Sequence, residues 1–201
     1  MPLPKVEMTV FETILARRSV RRYKARKVDR TTINILLEAA VRAPTAVHQE
    51  PWAFVIIQDT SLLHSLSNQA KPLFIAEVQE QGLERAGHSF DIFSHENFNV
   101  FYDASTLILI CGKTAAPLHT ADCWLAAENL MLAACAMGLG TCVIGSALSA
   151  LNTAETKLSL NIPEKFSVVA PIVVGYPDDE IIHALRKNPV ILANIPAFHS
   201  V

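Results

Sequence analysis

Arg17-Arg18-Ser19-Val20-Arg21-Arg22-Tyr23 places four arginines and a serine within six consecutive positions. Guanidinium forks match phosphate oxygens two at a time, and a serine hydroxyl adds a neutral donor, so this segment has the chemistry to grip one phosphate. A solvated basic turn would carry the same residues. The formal net charge is -2 and the isoelectric point about 6.4, so the cluster is local. A nucleic-acid surface would bring a wider basic excess, and no such partner is expected. Other candidate chemistry is thinner. His95-Glu96 lacks the second histidine of a zinc-protease motif, because Asn99 stands in its place. Gly138-Leu139-Gly140 lacks the third glycine of a dinucleotide fingerprint and fits helix termination. Asp122, beside His119 and Cys123, falls where a carboxylate complements a helix dipole. No metal site is expected.

The elements that must position the arginines can be read from periodicity. Thr9 and Glu12 form a capping box, and Val10, Phe11, Ile14 and Leu15 make one helical face that leads into the cluster. A second helix is predicted from near Asp29, with Ile33, Leu36, Leu37, Ala40 and Val41 on its apolar face and Pro44 as its end. Residues 52–57, 105–111 and 168–174 are continuous apolar runs, expected as strands buried on both faces; residues 141–144 are a shorter fourth candidate. Pro171 predicts a bulge or an edge position in the last long run. Residues 121–137 read as a helix apolar on most sides, which belongs at the centre of the molecule or against a second subunit. Residues 68–99 are the least regular part, with breaks at Gly82, Gly87, His88 and His95, and are expected to form a lid-like excursion with short helices. The expectation is one domain over 1–201, with helices alternating around one mixed sheet in an α+β architecture and a C-terminal extension over 188–201.

Hydrophobic residues make up 51% of the chain and mean hydropathy is +0.29, so apolar surface must be buried in a membrane or an oligomer interface. No charge occurs between Glu128 and Glu155, but that window holds Gly138, Gly140, Gly145, Ser146, Ser149, Asn152 and Thr153. It is expected to be a helix end, a glycine turn, a short strand and a second helix start, with no membrane span. Met1-Pro2-Leu3-Pro4-Lys5 opens no apolar run of signal-peptide length. Cys111, Cys123, Cys135 and Cys142 are widely spaced without a C-x-x-C, which predicts buried free thiols and a cytoplasmic location.

Taken in chain order, five motifs align. They are the R-R-S-V-R-R-Y cluster, the junction Ala43-Pro44-Thr45-Ala46-Val47-His48-Gln49-Glu50-Pro51-Trp52, the glycine-rich Gly138–Gly145 stretch, Val173-Val174-Gly175-Tyr176-Pro177, and Arg186-Lys187. The series resembles the nitroreductase family of FMN-dependent NAD(P)H oxidoreductases, from about Thr9 to Lys187. The resemblance implies a nitroreductase-like α+β fold with a mixed, mainly antiparallel sheet flanked by helices. It also implies an intertwined homodimer with FMN at the subunit interface, NAD(P)H as hydride donor and a small-molecule electron acceptor.

By resemblance, Arg17, Arg18, Ser19 and Arg21 fall where the FMN phosphate and ribityl chain bind, with Arg21 also near the pyrimidine side of the ring. Pro44, Thr45 and Ala46 fall where the partner's chain packs on the flavin, and Ile144 with Gly145 where backbone groups meet the ring near N5. Arg186 and Lys187 fall where a late basic residue closes on the phosphate, and Asn97 matches a ring-contacting polar residue. The chain departs from the common N-x-Q-P-W junction by placing His48 over the ring region and Glu50 beside it. An imidazole both donates and accepts in one tautomer only, so the polarity there differs from that of an asparagine amide.

The hydride chemistry is the cofactor's, and no acid or base side chain is required of the protein. A fixed cation near the ring edge that gains negative charge on reduction is the expected contribution of Arg21. The expected activity is reduction of nitroaromatics, quinones or related acceptors by ping-pong turnover. A specialised enzyme on the same scaffold (a dehalogenase, an enoate reductase or a flavin-fragmenting enzyme) is the alternative. A low-turnover flavin carrier or regulator is a third.

Overall fold

The computed structural model describes residues 8–82, 90–178 and 186–195. Its frame is a four-stranded sheet of β1 (Trp52–Ile57), β2 (Thr106–Lys113), β3 (Gly140–Val143) and β4 (Phe166–Gly175), ordered β1-β2-β4-β3. All three pairings between strands are antiparallel. The parallel component of the expected mixed sheet is confined to one bridge, between Ser19 and Thr141.

Residues alternate between the two faces, as strand geometry requires. Ile108 and Ile110 of β2, with Ala170, Ile172 and Val174 of β4, meet α2 (Arg30–Ala40) and α4 (His119–Ala136). Leu107, Leu109, Val168 and Val173 meet the opposite layer, built from α3 (Thr60–Gln81) and α5 (Leu148–Leu151). A short α6 (Ala154–Ser159) follows. With helices on both sides, β2 and β4 are buried throughout their centres, which explains their unbroken apolar runs.

β1 departs from that expectation. It is an edge strand, mostly half-buried, and Ile56 is exposed. Pro171 is not at an edge either, because β4 lies between β2 and β3. The expected bulge is present between Ile110/Ala170 and Cys111/Val168. The Pro171 carbonyl accepts from the Ile144 N–H at 2.9 Å. In an antiparallel strand a residue's N–H and C=O point the same way, so the missing N–H faces the side where β3 has just run out.

α2 is capped by Asp29, whose side chain accepts from the Thr32 N–H, and it ends at Ala40, before Pro44. The excursion is more regular than its sequence implies. Residues 68–81 belong to the 22-residue α3, which carries Pro72 inside it and ends at Gly82 in the left-handed region, φ 64°. Leu63, Leu66 and Ala70 anchor it to the core on the α3 side of the sheet, Val78 is buried as well, and that burial offsets the hydrogen bond a proline deletes. Gly87 and His88 lie outside the described residues, as do Met1–Lys5 and the end of the C-terminal extension. The aromatics of this region stack on one another, with ring centroids 4.5 Å apart for Phe74–Phe93 and 5.2 Å for Phe93–Phe98.

The uncharged window becomes the end of α4, a turn at Gly138 (φ 75°), β3 and the start of α5. No described helix is long and apolar enough to cross a membrane. All four cysteines are free thiols; three are buried and Cys135 is half-buried. Burial pushes the Cys111 thiol up to about 11 and Cys123 up to about 12. Since the thiolate is the reactive form, a disulfide reagent at pH 8 should label neither of these two in the folded protein within minutes. Denaturant should release all of them, and rapid labelling of Cys111 or Cys123 in native protein would contradict the packing.

Candidate active site

The arginine cluster is sewn to the sheet. α1 (Val10–Ala16) begins at a capping box, where the Thr9 N–H donates to Glu12 Oε2 at 2.7 Å and the Glu12 N–H to Thr9 Oγ1 at 3.3 Å. Arg17 caps its other end, and its Nε lies 3.6 Å from Glu128 Oε1 of α4. Ser19 then bridges Thr141 on the outer edge of β3, and the Val20 N–H donates to the Thr141 carbonyl at 2.9 Å. Tyr23 bridges Pro177, and its hydroxyl donates back to the Val20 carbonyl at 2.7 Å. The Lys24 N–H donates to the Tyr176 carbonyl at 2.9 Å, while Arg26 stacks over the Tyr176 ring at 3.9 Å.

Two glycines, paired with each other in the β3–β4 register, make room for this segment. A Cβ on Gly140 would lie 2.7 Å from Val20, and one on Gly175 would lie 2.8 Å from Tyr23. Sequence reading assigned Gly138 and Gly140 jointly to helix termination. Only Gly138 does that; Gly140 serves a close approach. No local signal separates the two roles, because the partner is 120 residues earlier in the chain.

Two clefts adjoin the cluster. A narrow one of about 70 Å³ lies between Arg17, Arg18, Cys135 and residues 138–141. A wider one of about 310 Å³ is lined by Arg21, Arg22, Asn97, Asn99, Tyr102 and Asp178, among others. The structure thus brings Asn97 to Arg21 across a wide gap in sequence. Arg186 and Lys187 are exposed on an irregular segment and line neither cleft.

Ile144 and Gly145 differ in what they can offer. The Ile144 N–H is spent on Pro171. Gly145 is exposed, its N–H has no partner among the described residues, and a Cβ there would meet nothing within 4 Å. Of the pair, Gly145 alone has a backbone donor left for a ligand.

The junction is anchored elsewhere. Val47, His48 and Glu50 adopt left-handed backbone, with φ of 45°, 55° and 43°. Asp122, buried in the first turn of α4, accepts the Ala46 N–H at 3.1 Å and so ties down the loop carrying Pro44, Thr45 and His48. Asp122 therefore does more than complement the helix dipole. It sits six residues before Glu128, which pairs with Arg17, and thirteen before Cys135, which lines the narrow cleft, or about 9 and about 20 Å along the helix axis at 1.5 Å per residue. Within one chain, then, the junction is tied to the first turn of α4, while the arginine segment meets the helix from its middle, at Glu128, to its last turn, at Cys135.

The sequence profile of the Nitroreductase family matches residues 14–176. The chain belongs to the nitroreductase family. The chain superposes with a TM-score of 0.74 on an FMN-bound nitroreductase from Bacteroides fragilis, at 30% identity over 96% of this chain and 100% of that one. A protein of Archaeoglobus fulgidus with a provisional NADH dehydrogenase/NAD(P)H nitroreductase name is 27% identical, covering 85% of this chain and 86% of its own. An iodotyrosine deiodinase of Thermotoga neapolitana is 24% identical over 85% of this chain and 89% of its own length. As a nitroreductase-family protein, the chain is an oxidoreductase with the α+β fold expected of it.

Proposed function

We propose that this chain is an FMN-dependent oxidoreductase that takes hydride from NAD(P)H and passes it to small acceptors, including nitroaromatics and quinones, in ping-pong turnover. The observation that carries the reading is the arginine segment, fixed to the edge of β3, with Arg17 and Arg18 on the narrow cleft and Arg21 and Arg22 on the 310 Å³ one. The donor set fits FMN: guanidinium forks from Arg17 and Arg18 and the Ser19 hydroxyl suit a phosphate, while Arg21 and Asn97 flank space for a ring. The exposed backbone at Gly145 supplies an N–H with no partner among the described residues. When bound, the flavin provides a hydride-accepting nitrogen. Arg21 holds positive charge toward the ring edge that becomes anionic, and Asn97 and the Gly145 N–H orient the ring. Arg186 and Lys187 are proposed to close on the phosphate from the C-terminal segment.

The working unit is a homodimer. No residue of the junction lines either cleft beside the arginines, so the junction is proposed to complete a flavin site in a second copy. Unpartnered apolar surface supports this. Val10, Phe11, Ile14 and Leu15 of α1 all face outward, Phe11 at 79% exposure, and Val47 of the junction is 82% exposed. Val190, Ile191, Leu192 and Ile195 of the C-terminal segment are exposed as well, Leu192 at 95%. Sedimentation at micromolar concentration should give a dimer; a monomer that binds FMN tightly would overturn the shared site.

The deiodinase similarity favours one second reading, reductive dehalogenation on the same scaffold. Anaerobic mixing tests both. Bleaching of the bound flavin by NADPH or NADH, followed by reoxidation with a nitroaromatic or quinone, supports the first reading. Reoxidation by halogenated phenols with halide release, and not by nitroaromatics, supports the second. Flavin that neither donor bleaches would remove the NAD(P)H oxidoreductase reading.

A further inference from the structure

Tyr102 and Asp103 each have φ of 53° in the turn that leads into β2, with no glycine in it. Left-handed backbone is unfavourable for a side chain as large as tyrosine and persists only where its surroundings fix it. Here Asn99 does so. Buried, it accepts the Phe101 N–H on Oδ1 at 2.9 Å, donates from Nδ2 to Asp103 Oδ1 at 2.8 Å, and accepts the Tyr102 N–H on its carbonyl at 2.9 Å. Ser67 of α3 accepts the Val100 N–H at 3.0 Å.

None of these bonds uses the tyrosine side chain, and its hydroxyl has no hydrogen-bond partner among the described residues. What the turn fixes is the ring. Phe98 meets it edge-on, with centroids 5.9 Å apart at 77°. Arg21 Cζ stands 5.9 Å from its centroid. No carboxylate pairs with Arg21 among the described residues, so the ring is its one described partner besides the Cys142 thiol, which feels its charge.

We propose that Tyr102 is a positioning residue: the strained turn aims its ring at Arg21, and the ring holds the guanidinium toward the cleft. The proposal rests on the reading that this cleft takes the flavin ring, and it adds a role for a residue the motifs leave out.

The test uses sulfite, which adds to flavin N5 and leaves negative charge at the ring edge that Arg21 is proposed to face. Y102G removes the ring and relieves the backbone together, so folding is not impaired by strain; Y102F keeps the ring. Y102G should bind FMN but weaken the sulfite adduct about threefold, the scale of an exposed cation–π contact. Y102F should stay at the parent value, and Y102G should add nothing in an R21A background. In flavin-free protein, the Arg21 Nε–H NMR signal should be ring-current-shifted in parent and Y102F and unshifted in Y102G. An unchanged sulfite constant in FMN-loaded Y102G, or an equal loss with and without Arg21, would overturn the proposal while leaving the cofactor assignment standing. Parent protein that binds no FMN would overturn both.

Discussion

Arg17 and Arg21 replaced together by alanine should give folded, colourless protein. Charge-assisted hydrogen bonds are worth about 1.5–3 kcal/mol each, so losing both guanidinium groups should weaken FMN binding by at least about 100-fold. Folding should survive. Among the described residues Arg17 has one ion pair, with a half-exposed glutamate at 3.6 Å, and such pairs contribute about 0–1 kcal/mol. The backbone bridges that hold residues 19 and 20 to Thr141 use no arginine side chain. Flavin content by absorbance, beside the thermal melt of the apoprotein, separates the two effects. Stoichiometric FMN in the double variant would remove the phosphate assignment.

Gly140→Ala should also weaken flavin binding, without touching a charged group. The new Cβ falls within 2.8 Å of Val20 Cβ and both of its methyls, on a buried β-branched side chain that has nowhere to swing. The strap formed by residues 19–24 must step away from β3 and give up the Val20–Thr141 hydrogen bond. Overpacking of this kind costs about 1–3 kcal/mol of stability, and displaced arginines should lower FMN affinity about tenfold or more. Val20→Gly in the same background restores the space and should recover part of that affinity. A G140A protein with parental melting and flavin affinity would show that the strap is not held through this contact.

These two sites differ in how readable they are. The arginines and their phosphate chemistry stand in six adjacent residues, the strands stand in short apolar runs, and α4 stands in a longer stretch that is apolar on most sides. Gly140 is visible only as a glycine, since its reason to be one is Val20. α3 is hidden for another cause: Pro72 reads as a break, whereas Leu63, Leu66 and Ala70 hold the helix through tertiary burial. β1 looks as apolar as β2, yet it sits at an edge that leaves Ile56 exposed. Strand order is a non-local property, and no run of residues announces it. Tyr102 carries no signal either, because a left-handed tyrosine is recognised from its backbone angle and not from its neighbours in sequence. The cap at Thr9–Glu12 lies at the other extreme, with donor and acceptor three residues apart and both bonds formed.

The most direct test of the phosphate grip compares FMN with riboflavin on the unaltered protein, by quenching of flavin fluorescence at equal ionic strength. The two ligands share the ring and the ribityl chain and differ by one phosphate. If Arg17, Arg18 and Ser19 hold that phosphate, FMN should bind at least about 100-fold more tightly. Equal affinity for the two would mean that the arginine segment does not hold the cofactor.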